Sequence, residues 1–249
     1  MDWYYFNNRR SYFYWCWELK SRMSGDKVII LSLGGSLIVP DDIDVYFLGN
    51  FKKIIEKYVK KGYKFVIYCG GGKLARNLQK AASKISKLSS EDLDWLGIYA
   101  TRLNAFLMKT IFKNEAEGFI FENPNNRIDF KKNILVAAGW LPGWSTDYDA
   151  VLLANNLDVK EIINMSNVNY VYDKDPKKFK DAKRIKKISW QNYSKLISKE
   201  WKPGMNVPFD PVAAKEAQKS NIKVYIIGSD LKNLENLLDD KKFKGTIIS

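Results

Sequence analysis

The sequence predicts an α/β protein in which a mainly parallel sheet carries helices on both faces. Two observations point there. From Val28 onward, short apolar runs alternate with segments of helical period, the signature of successive βα units. Two of those runs end directly in glycine clusters, Gly34-Gly35-Ser36 and Gly70-Gly71-Gly72, and helical sequence follows each. Sheets of this kind bind ligands at the carboxyl ends of their strands. Both clusters lie at such ends.

Residues 1–26 stand apart from that pattern. Trp3, Tyr4, Tyr5, Phe6, Tyr12, Phe13, Tyr14, Trp15 and Trp17 show no clean helical or strand period. Asn7-Asn8-Arg9-Arg10 interrupts the apolar block, which makes it a poor signal peptide. The expectation is an aromatic extension of which residues 1–22 are dispensable for catalysis, with Met23 as the true start. An arm that packs on a neighbouring subunit is the rival reading. Residues 27–249 are expected to form one domain.

Within that domain, Val28 to Leu33 is a continuous apolar run suited to a buried parallel strand. Residues 44–61 follow as a helix, with Phe47, Leu48, Phe51, Ile54, Ile55 and Tyr58 on one face. A strand at 64–69 runs into the second glycine cluster, and helices are expected at 73–87 and 93–113. Strands at 118–121 and 133–138 lead to a helix at 147–157, capped by Ser145-Thr146-Asp147. The remaining segments read as a strand at 160–164, helices at 189–198 and 210–220, a strand at 223–228, a helix at 230–240 and a strand at 245–248.

Composition removes several function classes. A chain of 249 residues with 46% hydrophobic content can bury a sizeable core. No apolar stretch approaches the roughly 18 residues of a membrane span. Cys16 and Cys69 have no metal-ligand spacing and suit a reducing, cytoplasmic setting. The chain has no histidine, so Ser–His and Cys–His nucleophile pairs and histidine bases are excluded. Phosphoryl transfer to an existing phosphate or carboxylate survives, because its acceptor is already an anion and catalysis is positioning plus charge neutralisation. The net charge of +13 raises nucleic acid as a partner. Lysines are interspersed with acids, as in Lys174-Asp175-Pro176-Lys177-Lys178, and no nucleic-acid motif is visible. The charge reads as a solvated basic surface that attracts anionic nucleotides.

The chemistry concentrates in the loops. Glycines let a backbone approach a ligand closely, and free N–H groups at a helix start face an anion. Lys73 and Arg76 add two cations just behind the second cluster. Neither loop matches GxxxxGK[ST] or GxGxxG. Two phosphate loops, or one polyphosphate gripped from two sides, compete with plain tight turns. Asp94, Thr101, Arg102 and Asn104 fall on one expected helix, where they either hold a ribose and base or form a solvated side. Asp147 reads either as a helix N-terminal stabiliser or as a catalytic organiser. Ser166 to Pro176 offers an aromatic ring beside polar groups, as an adenine pocket would.

Taken in order, these pieces resemble the amino acid kinase family, and within it the archaeal-type uridylate (UMP) kinases. The matching segments are LGGS at 33–36, GGGKLAR at 70–76, TRLNA at 101–105, PGxSTD at 142–147, SNVxxVYxxDP at 166–176 and DPxAAK at 210–215. The resemblance implies a three-layer αβα sandwich, with an N-terminal part that binds UMP and a C-terminal part that binds Mg·ATP. It implies transfer of the ATP γ-phosphoryl group to UMP. On that pattern Gly71, Asp94 and the loop Trp140, Leu141, Pro142, Gly143, Trp144, Ser145 and Thr146 hold UMP. Gly34, Gly35, Ser36, Gly72 and Arg76 surround the phosphates, and Ser166, Asn167, Tyr172 and Asp175 hold the ATP nucleoside. Arg76 and Asp147 are the catalytic pair, Mg²⁺ accompanies ATP without an assigned protein ligand, and a homo-oligomer, by resemblance a hexamer, is implied.

Three departures from the pattern stand out. Ser32 occupies a position where many family members carry lysine, so Lys73, Arg76, Mg²⁺ or Lys215 must neutralise the γ-phosphate. Tyr170 stands where the family has glycine, and the loop with Trp140, Leu141 and Trp144 is unusually aromatic. Isopentenyl phosphate kinases of this family depend on a histidine that this chain lacks. Acetylglutamate- or carbamate-type phosphotransfer, a non-catalytic ATP-binding storage protein and a regulatory protein on the same scaffold remain as alternatives.

Overall fold

The computed structural model describes residues 27–176, 178–197 and 207–249. The aromatic extension at 1–26 and the last position of the helix expected at 189–198 lie outside the described residues. Strand β1 (Lys27–Leu33) is central, flanked by β2 (Tyr63–Cys69) and β4 (Glu161–Met165), both parallel to it. β3 (Ile134–Ala137) extends the sheet beyond β2, and β8 (Lys223–Ile227) extends it beyond β4, again in parallel. The order closes β8, β9 (Thr246–Ile248), β7 (Lys187–Ile188), with β9 antiparallel to β8 and parallel to β7.

Side-chain alternation splits the core into two layers. Ile30, Val66, Tyr68, Leu135, Ile162 and Val224 point to one face, under α5 (Thr146–Asn156), α6 (Trp190–Leu196) and α7 (Pro211–Lys219). Leu31, Leu33, Phe65, Ile67, Val136 and Ile163 point to the other, under α2 (Val45–Val59), α4 (Ser90–Ile111) and α8 (Leu231–Leu238). The protein is therefore an αβα sandwich with a mainly parallel sheet. Helix starts are fixed locally. Asp44 accepts from the Phe47 N–H at 2.8 Å at the head of α2, and Ser89 with Asp92 forms a capping box at α4.

The structure departs from the expected elements in four places. Residues 118–121 are not a strand: Ala116 and Phe121 pair with β3 at isolated bridges, and the chain bows between them at Gly118 and Phe119. A one-turn helix α1 (Gly35–Ile38) follows the first glycine pair. Helix α3 (Gly72–Ile85) begins inside the second cluster. The hairpin β5 (Val171–Tyr172) and β6 (Arg184–Ile185) and the edge strand β7 are two-residue pairings, too short to show a sequence period. Thr246 joins the hairpin to the main sheet, since its Oγ1 accepts from the Val171 N–H at 2.9 Å and donates to the Ile185 carbonyl.

Candidate active site

The register of β1 against β2 sets Leu33 opposite Cys69, so the two glycine loops leave the sheet side by side. Gly70 N–H donates to the Leu33 carbonyl at 2.9 Å and Gly34 N–H to the Met165 carbonyl at 2.8 Å, which ties together the ends of three strands. The loops then touch backbone to backbone. A Cβ on Gly35 would lie 2.0 Å from Gly72 N, and one on Gly72 would lie 2.2 Å from Gly35 O. Gly72 also has φ +63°, a region that favours glycine. Asn104 braces this contact from behind, donating to the carbonyls of Gly70 at 2.8 Å and Gly71 at 3.3 Å.

Two clefts open onto these loops. The larger, about 500 Å³, is lined by Gly34, Gly35, Ser36 and Gly72 together with Ser166, Asn167, Tyr172 and Asp175. The smaller, about 280 Å³, is lined by Gly71, Asp94, Trp144 and Ser145, with Gln79 and Thr101 beside them. Gly72, Arg76 and Thr146 line both clefts. Trp140, Leu141, Pro142 and Gly143 form the outer arc of their loop and do not line the smaller cleft. Gln79 gave no signal in the sequence beyond a polar position on a helix.

Asp147 lies on the floor of the larger cleft, at the start of α5. Its Oδ1 accepts from the Ser32 hydroxyl at 3.1 Å and from the Asn164 amide at 2.9 Å, and its Oδ2 from the Asp210 N–H at 3.3 Å. No cation is among these partners. Burial, aided by the nearby Asp210 carboxyl, pushes Asp147 up to about 7 against those hydrogen bonds. Ser32 and Asn164 sit in the same register across β1 and β4, so two buried polar side chains emerge side by side beneath Asp147. Asn164 interrupts the buried apolar run Ile162, Ile163 and Met165, which is the sequence signal that could have singled it out. Asp210 caps α7 through the Ala213 N–H at 2.7 Å.

The loop beside the smaller cleft is held by two polar groups of helix α4. Thr101 Oγ1 accepts from the Gly139 N–H at 2.9 Å, and Asp94 Oδ2 accepts from the Gly143 N–H at 2.7 Å. Burial raises the Asp94 carboxyl, and the Gly143 N–H acts against the shift. Arg102 faces away from the cleft, paired with Glu122 at 2.8 Å, and Asn104 serves the glycine loops. Of the four polar residues read on helix α4, only Asp94 and Thr101 line the cleft.

Cations near the phosphate loops are few. Arg76 lines both clefts, whereas Lys73 turns outward to pair with Asp41 at 3.1 Å, and Lys215 is exposed on α7 without lining either cleft. Of the cations expected to stand in for a lysine at position 32, only Arg76 lines a cleft here. Tyr170 lines the larger cleft, edge-on to Tyr172 at 6.4 Å, with the Arg184 guanidinium 5.6 Å from its ring. Its φ is not positive, so the loop accommodates tyrosine without backbone strain.

Residues 27–228 match the amino acid kinase family, and this span contains every loop that builds the two clefts. The chain belongs to the amino acid kinase family. Among its relatives, the uridylate kinases of Thermoplasma volcanium and Thermococcus kodakarensis are each 35% identical to it. Those matches cover 86% and 88% of this chain and 93% and 98% of theirs. The crystal structure of uridylate kinase from Archaeoglobus fulgidus superposes with a TM-score of 0.72 at 32% identity, covering 90% of this chain and 100% of that one. The UMP kinase of Bacillus anthracis, at 19% identity and a TM-score of 0.68, shares the family's fold.

Proposed function

We propose that this chain transfers the γ-phosphoryl group of ATP to UMP, giving ADP and UDP. The observation that carries the reading is the junction of the two clefts at Gly72, Arg76 and Thr146. A donor and an acceptor that lie in separate clefts with one shared wall bring their phosphates together there. The relatedness to uridylate kinases supports uridine monophosphate as the acceptor.

On this reading the larger cleft takes ATP, with Tyr172, Ser166, Asn167 and Asp175 at the nucleoside and Gly34, Gly35, Ser36 and Gly72 at the phosphates. The smaller takes UMP, with Gly71, Trp144, Ser145 and Thr146 around it. Asp94 uses Oδ2 for the Gly143 N–H, which leaves Oδ1 for a ribose hydroxyl. The acceptor phosphate is already ionised, so no general base is required. Arg76 neutralises charge on the group in flight, and Asp147 orients the floor through Ser32 and Asn164. The described residues contain no group of three or more His, Cys, Asp or Glu that could cage a metal. That fits Mg²⁺ held by the nucleotide's own phosphate oxygens, where it would add positive charge between donor and acceptor.

A cytoplasmic homo-oligomer belongs to the same proposal. No described helix is long and apolar enough to cross a membrane. Cys69 is a free, buried thiol, and α4 exposes Tyr99, Leu103 and Phe106 along one stripe. We assign 27–249 to the catalytic domain and 1–26 to an aromatic extension, of which residues 1–22 are dispensable. The deciding experiment measures ADP release against a panel of acceptors with Mg·ATP. UDP formed from UMP is the expected result; no UDP, with acetylglutamate or carbamate phosphorylated instead, overturns the reading.

A further inference from the structure

The loop Gly139 to Ser145 walls the smaller cleft through Gly139, Trp144 and Ser145, and its backbone hangs from three acceptors. Two of them, Thr101 and Asp94, line the cleft themselves. The third, Asp149, does not. It is wholly buried in α5, where its Oδ2 accepts from the Trp140 N–H at 3.1 Å and its backbone carbonyl from the buried Tyr68 hydroxyl at 3.2 Å. Its Oδ1 has no hydrogen-bond partner among the described residues. A carboxyl in such a setting is costly, and an apolar side chain would fill the same space more cheaply. The useful contact this acid makes is with the loop.

That contact connects to the cleft wall through aromatic rings. Trp140 meets Trp144 edge-on at 4.7 Å, and Trp144 meets Tyr148 edge-on at 4.8 Å. The Trp140 carbonyl is held as well, accepting from Arg102 at 3.4 Å. We propose that Asp149 is a positioning residue for the acceptor nucleotide: by holding the Trp140 N–H it fixes the chain of rings Trp140, Trp144 and Tyr148, and so the wall against which the acceptor lies. This rests on the reading of the smaller cleft as the UMP site. Burial pushes Asp149 up to about 8, so at neutral pH it holds the N–H largely as a neutral acid, and asparagine retains the acceptor oxygen that the contact needs.

The test compares the wild-type chain with Asp149→Ala and Asp149→Asn. It reads steady-state kinetics in UMP and in ATP, and near-ultraviolet circular dichroism of the coupled tryptophans without nucleotide. Loss of one fixed hydrogen bond should raise the KM for UMP about tenfold in Asp149→Ala, with the KM for ATP unchanged. Asp149→Asn should return the KM to within about threefold of wild type. The aromatic signal should weaken in the alanine variant and recover in the asparagine variant. If alanine leaves a cavity that unfolds the chain, the near-isosteric Asp149→Leu takes its place. An unchanged KM for UMP, an equal rise in both KM values, or no rescue by asparagine overturns the proposal. Should the wild-type chain make no UDP, the reading of the reaction fails, and the circular dichroism alone decides the anchoring: a weakened and recovered signal supports it, an unchanged one overturns it.

Discussion

Arg76 is the one described arginine that lines both clefts, and its removal isolates its charge from the fold. Arg76→Ala should lower kcat by about 10²–10³, as for loss of one preorganised donor to a developing charge. The thermal midpoint should stay within a degree or two, since the side chain supports no buried packing. A near-wild-type rate would make the GGGKLAR segment structural. The buried carboxyls make a different prediction. Asp147 and Asp149, at about 7 and about 8, are both raised above the ordinary aspartate range of about 3.9. The folded state therefore holds more protons than the unfolded one from about pH 4 to about pH 8, and their contribution to stability is lost as pH rises through that window. Urea unfolding across it should show the decline, and Asp149→Asn should make it shallower throughout the window, removing on the order of half of the total fall; an unaltered slope would mean that Asp149 ionises normally. The glycine clusters, Arg76 and Asp94 were legible as candidates because glycine and charge are conspicuous in sequence. Asp149 was not, because a single acid inside a helix reads as an ordinary polar residue; Ser32 stood out only as a departure from the family's lysine and Asn164 only as a polar break in an apolar run, and neither pointed to Asp147.

At the scale of elements, the contact between the two glycine loops is the least tolerant point of the fold. Gly72→Ala meets both a positive φ and a Cβ position 2.2 Å from a carbonyl oxygen. It should cost more than about 2 kcal/mol and abolish turnover. Gly49 provides the contrast. It lies inside α2 with open space at its Cβ position, so Gly49→Ala should stabilise by about 0.5–1 kcal/mol. Equal effects of the two substitutions on the urea midpoint would refute the loop argument. The long helices and buried parallel strands were readable because each carries its own period or apolar run. The one-turn helix α1, the β5–β6 hairpin and edge strand β7 owe their form to neighbours. At 118–121 an apolar run resembles a strand, yet Phe119 is exposed and the chain meets β3 only on either side of the bow.

At the scale of the whole molecule, Tyr99, Leu103 and Phe106 lie at helical spacing on α4 and are each more than half exposed. An apolar stripe of this kind suits burial against another copy of the chain. Light scattering at micromolar concentration should report an oligomer, and the double variant Leu103→Asp with Phe106→Asp should shift it toward monomer. A monomeric wild-type chain removes the idea. The shared wall of the two clefts carries a further consequence. Because Gly72, Arg76 and Thr146 serve both sides, a single molecule with adenosine at one end, uridine at the other and a polyphosphate bridge between can occupy both at once. Tethering makes the second half's arrival intramolecular, so such a bisubstrate ligand should outbind either mononucleotide by about 10²–10⁴ when the bridge matches the span. The bridge length of the tightest member of a series would then serve as a ruler for the distance the phosphoryl group must cross.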